Sequence, residues 1–84
     1  MEKIAWTLLE VGMQKEEYKG YVLWGHAMAR RAAVEAGNFW AASGTVTKDR
    51  ELVGASGVLE VFEEEFAAEE AGIAWAREWV DKHG

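Results

Sequence analysis

The sequence predicts an α+β domain, a three-stranded antiparallel β-meander with one long C-terminal helix packed across one face, in the order β-β-β-α. Three observations predict it. Residues 62–83, FEEEFAAEEAGIAWAREWVDKH, are the one long stretch with an unambiguous helical period. Residues 39–47 and 52–62 are β-rich runs on either side of the polar Lys48-Asp49-Arg50-Glu51, the form of a hairpin. Residues 18–28, YKGYVLWGHAM, are dense in aromatic and branched side chains and read as a further strand.

Taken in order, residues 1–12 are expected to be an N-terminal extension, poorly ordered or docked at an edge, and residues 13–84 a single α+β domain. EKIAWTLLEV fits either period: Ile4, Trp6 and Leu8 share a face as a strand, and Ile4, Leu8 and Val11 align as a helix, with Gly12 ending the run. In the strand at 18–28, Tyr18, Val22, Trp24 and His26 alternate with Tyr21, Leu23, Gly25 and Ala27. Both sets are largely apolar, which suggests a central strand. Residues 29–38, ARRAAVEAGN, form the longest connection, stopped by Gly37–Asn38.

With Asp49–Arg50 as the tip of the hairpin, residues i and 99−i oppose each other. Val46 then faces Val53, Gly44 faces Ala55, Ala42 faces Gly57 and Trp40 faces Leu59. That register gathers Trp40, Ala42, Val46, Val53, Ala55, Leu59 and Val61 on one face and the serines and threonines on the other. Without a glycine at the tip, a wider loop and a looser register are also open. Small residues at 42, 44, 55 and 57 would let a helix approach closely. At about 100° per residue, Phe62, Phe66, Ile73, Ala76 and Val80 form the stripe that would fill this trough. Early glutamates and late Lys82 and His83 suit the helix dipole, and Glu78–Lys82 and Arg77–Asp81 are i,i+4 pairs.

Composition narrows the function classes. Eighty-four residues support one modest core, and half of them are hydrophobic. The absence of cysteine removes disulfides, thiolate metal sites and cysteine nucleophiles. No apolar run approaches the ~18 residues of a membrane span. Glu2 and Glu10 make the N-terminus a poor signal peptide, so a cytoplasmic protein is the expectation. A net charge of −6 disfavours nucleic acid as a partner. Arg30–Arg31 and the separate Lys48 and Arg50 read as solvated loop ends.

No catalytic, metal or cofactor constellation emerges, and the chain is expected not to be an enzyme. His26 reads as a half-buried sheet residue and His83 as a dipole partner at the helix end. Ser43 and Ser56 lack a nucleophile context, and the glycines of GASG do not open a helix. The adjacent glutamates at 63–65 and 69–70 point apart on a helix, as a solvated face does. Glu69 alone falls within the apolar stripe, where it either overhangs the sheet into water or makes a specific contact.

Tryptophan is the compositional anomaly, with five in 84 residues. Trp75 lies nearly opposite the apolar stripe and Trp79 at its margin, so the two form an aromatic ledge. The ledge either packs on the N-terminal segment with Trp6 or is exposed. With Trp24 on the sheet, Trp75 and Trp79 are the candidate interaction surface, since exposed aromatic patches mark protein interfaces.

The segment VFEEEFAAEEA resembles the strand-to-helix junction of HicB-type antitoxin domains, whose three-stranded sheet and helix follow a similar order. The resemblance covers about a third of the chain and implies architecture only; the proline of that family's central strand is missing, because this chain has no proline. Sheet-plus-helix DNA-binding domains of the integrase-arm kind share the order but are basic. The leading expectation is a small non-enzymatic binding module with a protein partner or itself, as a homodimer through exposed aromatics, using the aromatic ledge of the helix or the open sheet face. The alternatives are a nucleic-acid binder using sheet aromatics with Lys19, Lys48 or Arg50, and an acidic inhibitor of antitoxin kind.

Overall fold

A computed structural model describes residues 11–31 and 38–84. They form β1 (Val11–Tyr18), β2 (Tyr21–Arg31), β3 (Asn38–Lys48), β4 (Glu51–Phe62) and α1 (Glu65–His83). The sheet is antiparallel with strand order β1-β2-β3-β4, and the helix lies chiefly over β2 and β3. The α+β class and the C-terminal helix are as the sequence predicts, but the sheet has four strands rather than three.

The extra strand comes from the polar stretch before Tyr18. The expected continuous strand at 18–28 is interrupted at Lys19–Gly20, whose φ angles of 52° and 86° make a tight turn between paired Tyr18 and Tyr21. Residues 11–18 therefore pair back along β2. Their polarity hid them, because the inward positions are filled by groups that bond the helix rather than by apolar side chains. Gln14 Nε2 donates to Glu69 Oε1 at 3.1 Å, Arg77 donates to Glu16 at 2.6 Å, and the Tyr18 hydroxyl donates to Asp81 at 2.7 Å. Tyr18 thus lies on the helix side with Tyr21, not with Val22 and Trp24. Residues 1–10 of the expected extension, and residues 32–37 of the expected connection, lie outside the described residues.

Asp49–Arg50 is the tip of the second hairpin, as expected. It is a two-residue turn with φ of 54° and 70°, tight despite having no glycine. The 99−i register holds only for Lys48↔Glu51 and Thr47↔Leu52. Beyond them the pairs are Val46↔Gly54, Thr45↔Ala55, Ser43↔Val58, Ala41↔Val61 and Trp40↔Phe62. Each two-residue step along β3 is matched by three residues of β4, so β4 carries an extra residue in each of three intervals. Gly57, at φ 73°, adopts the left-handed conformation that such a bulge uses. Ser56 Oγ fastens it, accepting the Gly44 N–H at 2.8 Å and donating to the Gly57 carbonyl at 2.6 Å. The expected inward set from β4 is consequently wrong. Val53, Ala55, Leu59 and Val61 do not lie under the helix, which meets this strand at Gly54 and Phe62.

The helix starts at Glu65, and Phe62 closes β4. Its buried residues are Ala68, Gly72, Ile73, Ala76 and Val80, whereas Phe66 is 64% exposed and not part of the stripe. Proximity explains the rotation. A Cβ placed on Gly72 would meet the Ser43 carbonyl and lie 2.8 Å from Gly25 Cα. One placed on Gly44 would lie 2.5 Å from the Gly72 carbonyl, and one on Gly25 would strike the Glu69 carbonyl. The trough expected from Ala42 and Gly44 exists, but it continues through Gly25 on β2 rather than through Ala55 and Gly57.

Two apolar clusters flank this contact. Leu23, Val46, Ile73, Ala76 and Val80 are packed by Tyr18, Tyr21, Trp75 and Trp79; Ala27, Ala42 and Ala68 are packed by Trp40 and Phe62. Of the predicted pairs, Glu78–Lys82 forms at 3.6 Å, while Arg77 and Asp81 turn to β1 instead of each other. Lys19 also reaches Asp81, at 3.1 Å. The Tyr18 hydroxyl and Lys19 together hold the Asp81 carboxyl below its ordinary pKa.

Gly72→Ala discriminates close packing from helix propensity. Propensity alone would stabilise an exposed helix by roughly 1 kcal/mol. Here overpacking against backbone is expected to destabilise by about 1–3 kcal/mol. Gly57→Ala, with open space around the added carbon, is expected to cost about 1 kcal/mol through its backbone conformation alone. Urea denaturation of the two variants measures both.

Candidate interaction surface

The side of the sheet away from the helix is built in rows. Alternation and register place Lys15, Trp24, Thr45 and Ala55 in one row, and Met13, His26, Ser43 and Val58 in the next. Val22, Thr47 and Leu52 make the row nearest the second hairpin, and Met28, Ala41 and Val61 the row at the other end. Along β3 this face is small and polar, with Ser43, Thr45 and Thr47. Along β4 it is aliphatic.

The polar groups of the middle strands satisfy one another. Trp24 Nε1 donates to Thr47 Oγ1 at 3.0 Å, and His26 Nε2 lies 3.1 Å from Thr45 Oγ1. Lys15 Nζ sits 5.4 Å from the centre of the Trp24 ring, a cation–π distance. Burial lowers the His26 pKa below its ordinary value, so the imidazole is neutral at pH 7. His26 is the half-buried sheet residue that the sequence predicts.

The aliphatic row is the least satisfied feature. Leu52 is 64% exposed, Val58 54% and Val61 49%, with Ala55 exposed between them. The bulges create this row. An extra residue per step brings every third side chain, at 52, 55, 58 and 61, to one face where an unbulged strand would alternate. Both outer strands are also guarded against strand addition: β1 carries exposed Lys15 and Glu17, and the bulges of β4 break its ladder. The face is left open, and the edges are not.

Charge is partitioned the other way. Residues 63–84 contain seven acidic and two basic side chains, so −5 of the net −6 lies on the helix and its lead-in. The sheet is almost neutral.

The predicted tryptophan surface is divided between the two sides. Trp24 borders the open face, half-buried. Trp75 and Trp79 lie on the helix side, half-buried against the Leu23–Val46–Val80 cluster, with Trp75 over Gly44 and Trp79 over Gly54. Trp79 also stacks on His83 at 4.5 Å and meets Tyr21 edge-on at 6.2 Å. His83 Nδ1 is 3.0 Å from the Trp79 carbonyl, which suits its place at the helix C-terminus. The ledge borders a hollow of about 190 Å³ lined by Trp75, Glu78, Trp79, Lys82 and His83, smaller than the ~300 Å³ at which ligand pockets begin. Glu69 makes the specific contact rather than the overhang, through Gln14.

No protein-family model, curated protein or solved structure matches this chain. The likeness to the HicB-type junction therefore remains one of local pattern, met here by the passage from β4 at Phe62 to α1 at Glu65. Among the described residues, no group of three His, Cys, Asp or Glu side chains could hold a metal, and no helix is long and apolar enough to cross a membrane.

Sequence reasoning missed Leu52, Val58 and Val61 as surface residues. The signal was present in LVGASGVLEV, where an apolar side chain recurs every third position and glycines at 54 and 57 mark bulges.

The depressed His26 pKa has a definite sign. With the folded value below the unfolded one near 6.5, its contribution to stability is present above that pH and is lost as pH falls towards the folded value. Between about pH 7.5 and pH 5, the wild-type urea midpoint is expected to fall further than that of His26→Gln.

Proposed function

We propose that this chain is a small non-enzymatic protein-interaction domain whose docking surface is the open sheet face along β4. One observation carries the reading: the aliphatic row of Leu52, Val58 and Val61 is between 49% and 64% exposed, on the side that the helix does not cover. Contiguous apolar surface rimmed by polar groups is characteristic of binding sites. Completing the burial of these three side chains is worth roughly 1 kcal/mol each, enough to matter in a specific contact. Trp24 belongs to this surface as its aromatic border. Trp75 and Trp79 serve the packing of the helix.

Nucleic acid is a weaker reading, because the net charge is −6 and two of the three cations expected to contact phosphate, Lys19 and Lys48, are engaged. Lys19 pairs with Asp81, and Lys48 lies 4.7 Å from the centre of the Tyr21 ring. One observation favours a second reading, an acidic inhibitor that captures a basic protein: Phe66 projects from the acidic side of the helix, between Glu63 and Glu70. Binding of that kind would be released by salt.

Photo-crosslinking tests the two readings together. A benzophenone amino acid at position 52 or 58 is expected to give protein adducts in cells, and one at position 66 or 74 none. Adducts confined to 66 and 74 support the acidic inhibitor, and nucleic-acid adducts from the sheet positions overturn a protein-binding face.

A further inference from the structure

We infer that the occupant of the open face is a second copy of this chain, stacked sheet to sheet about a two-fold axis; this rests on the docking-face reading above. A two-fold contact requires a patch that is complementary to itself. The open face has that property in relief. Leu52, Val58 and Val61 stand as a ridge on β4, and the adjacent strand presents the low, partly exposed Ser43 and Thr45. Turned about an axis that lies between the two sheets, parallel to the strands and between β3 and β4, the ridge of one copy lies over the small residues of the other, as inner faces interdigitate in sheet sandwiches.

Charge selects the same occupant. Among its described side chains this face carries Lys15 and Glu17, of opposite charge, at its far edge, and an uncharged aliphatic row along β4. The acidic helix of each copy would lie on the outside, away from the junction. Two molecules of net charge −6 can therefore meet on this face without bringing their carboxylates together.

The size of the core supplies the third argument. Among the described residues the largest fully buried side chains are Leu23, Val46 and Val80, and five other apolar residues at 0% exposure are alanines, Ala27, Ala41, Ala42, Ala68 and Ala76. For a chain of this length without cysteine, pairing with a second copy is one way to add to so modest a core.

Light scattering across a concentration series tests the pairing. Wild-type mass is expected to rise from the 9.4 kDa of one chain towards twice that value, with little change between about 0.05 M and about 0.5 M salt. Val58→Glu and Leu52→Glu, at positions already half or more exposed, should retain the native circular dichroism and tryptophan emission while weakening association at least tenfold. Phe66→Glu, on the helix side, should associate as wild type. A mass that stays at 9.4 kDa throughout overturns the inference, as does equal weakening by the position-58 and position-66 variants. If the mass is monomeric but position 58 crosslinks to a different protein, self-pairing fails and the docking face stands. If positions 52 and 58 give no adduct with anything, both fail.

Discussion

The contact on which this structure depends is backbone against backbone, where Gly72 of the helix lies on Gly25 and Gly44 of the sheet. No side chain separates the layers there, so every large group must go elsewhere. Trp75 and Trp79 are displaced to the flank, over Gly44 and Gly54, and Tyr18 and Tyr21 close the same side from the first turn. This accounts for two of the five tryptophans without an external partner: the void beside a close helix–sheet crossing is wide and flat, and an indole fills it in one piece. It also explains the rotation of the helix. A stripe centred on Phe66 would hold the layers apart, whereas one centred on Gly72 brings them together and leaves Phe66 in water.

The same approach settles how β1 is held. With the helix over β2 and β3, the inward side of the first strand meets the helix flank rather than its floor. Apolar residues there would face a margin that is half wet. The chain instead places Gln14, Glu16 and Tyr18 opposite Glu69, Arg77 and Asp81, three links spread along the length of the helix. Exposed pairs of this sort contribute little energy individually. Together they fix the register of β1, which its weak apolar pattern does not specify.

The helix, its dipole order and the Asp49–Arg50 tip were legible in the sequence because each depends on local periodicity or turn chemistry. Two kinds of information were not. β1 was hidden because its inward residues bond across about sixty positions of chain, which no local window sees. The faces of β4 were hidden because alternation was assumed, and an extra residue in each step replaces a period of two by a period of three. The candidate surface suffered most from the second error. Val61 was assigned to the core and Val58 to neither face, and the tryptophans were made the surface in their place. Of the three, Trp24 does border the open face, while Trp75 and Trp79 lie across the sheet from it.

Close packing and open aliphatic surface are divided between the two sides of the sheet for one reason. Glycines at 25, 44 and 72 commit one face wholly to the helix, and no side chain there is free to do anything else. The bulged strand is the element that escapes this commitment. Its outer steps lie beyond the helix, Ser56 ties its central bulge to Gly44, and the extra residues turn its valines and Leu52 to the opposite side. A bulge normally guards an edge by making it irregular. In β4 the repeated bulge does that and also concentrates aliphatic surface on the open face. The feature that makes the edge irregular is therefore the one that builds the open aliphatic surface proposed for face-to-face contact, and a charge of −5 on the helix segment opposes contact of the other side with its own kind.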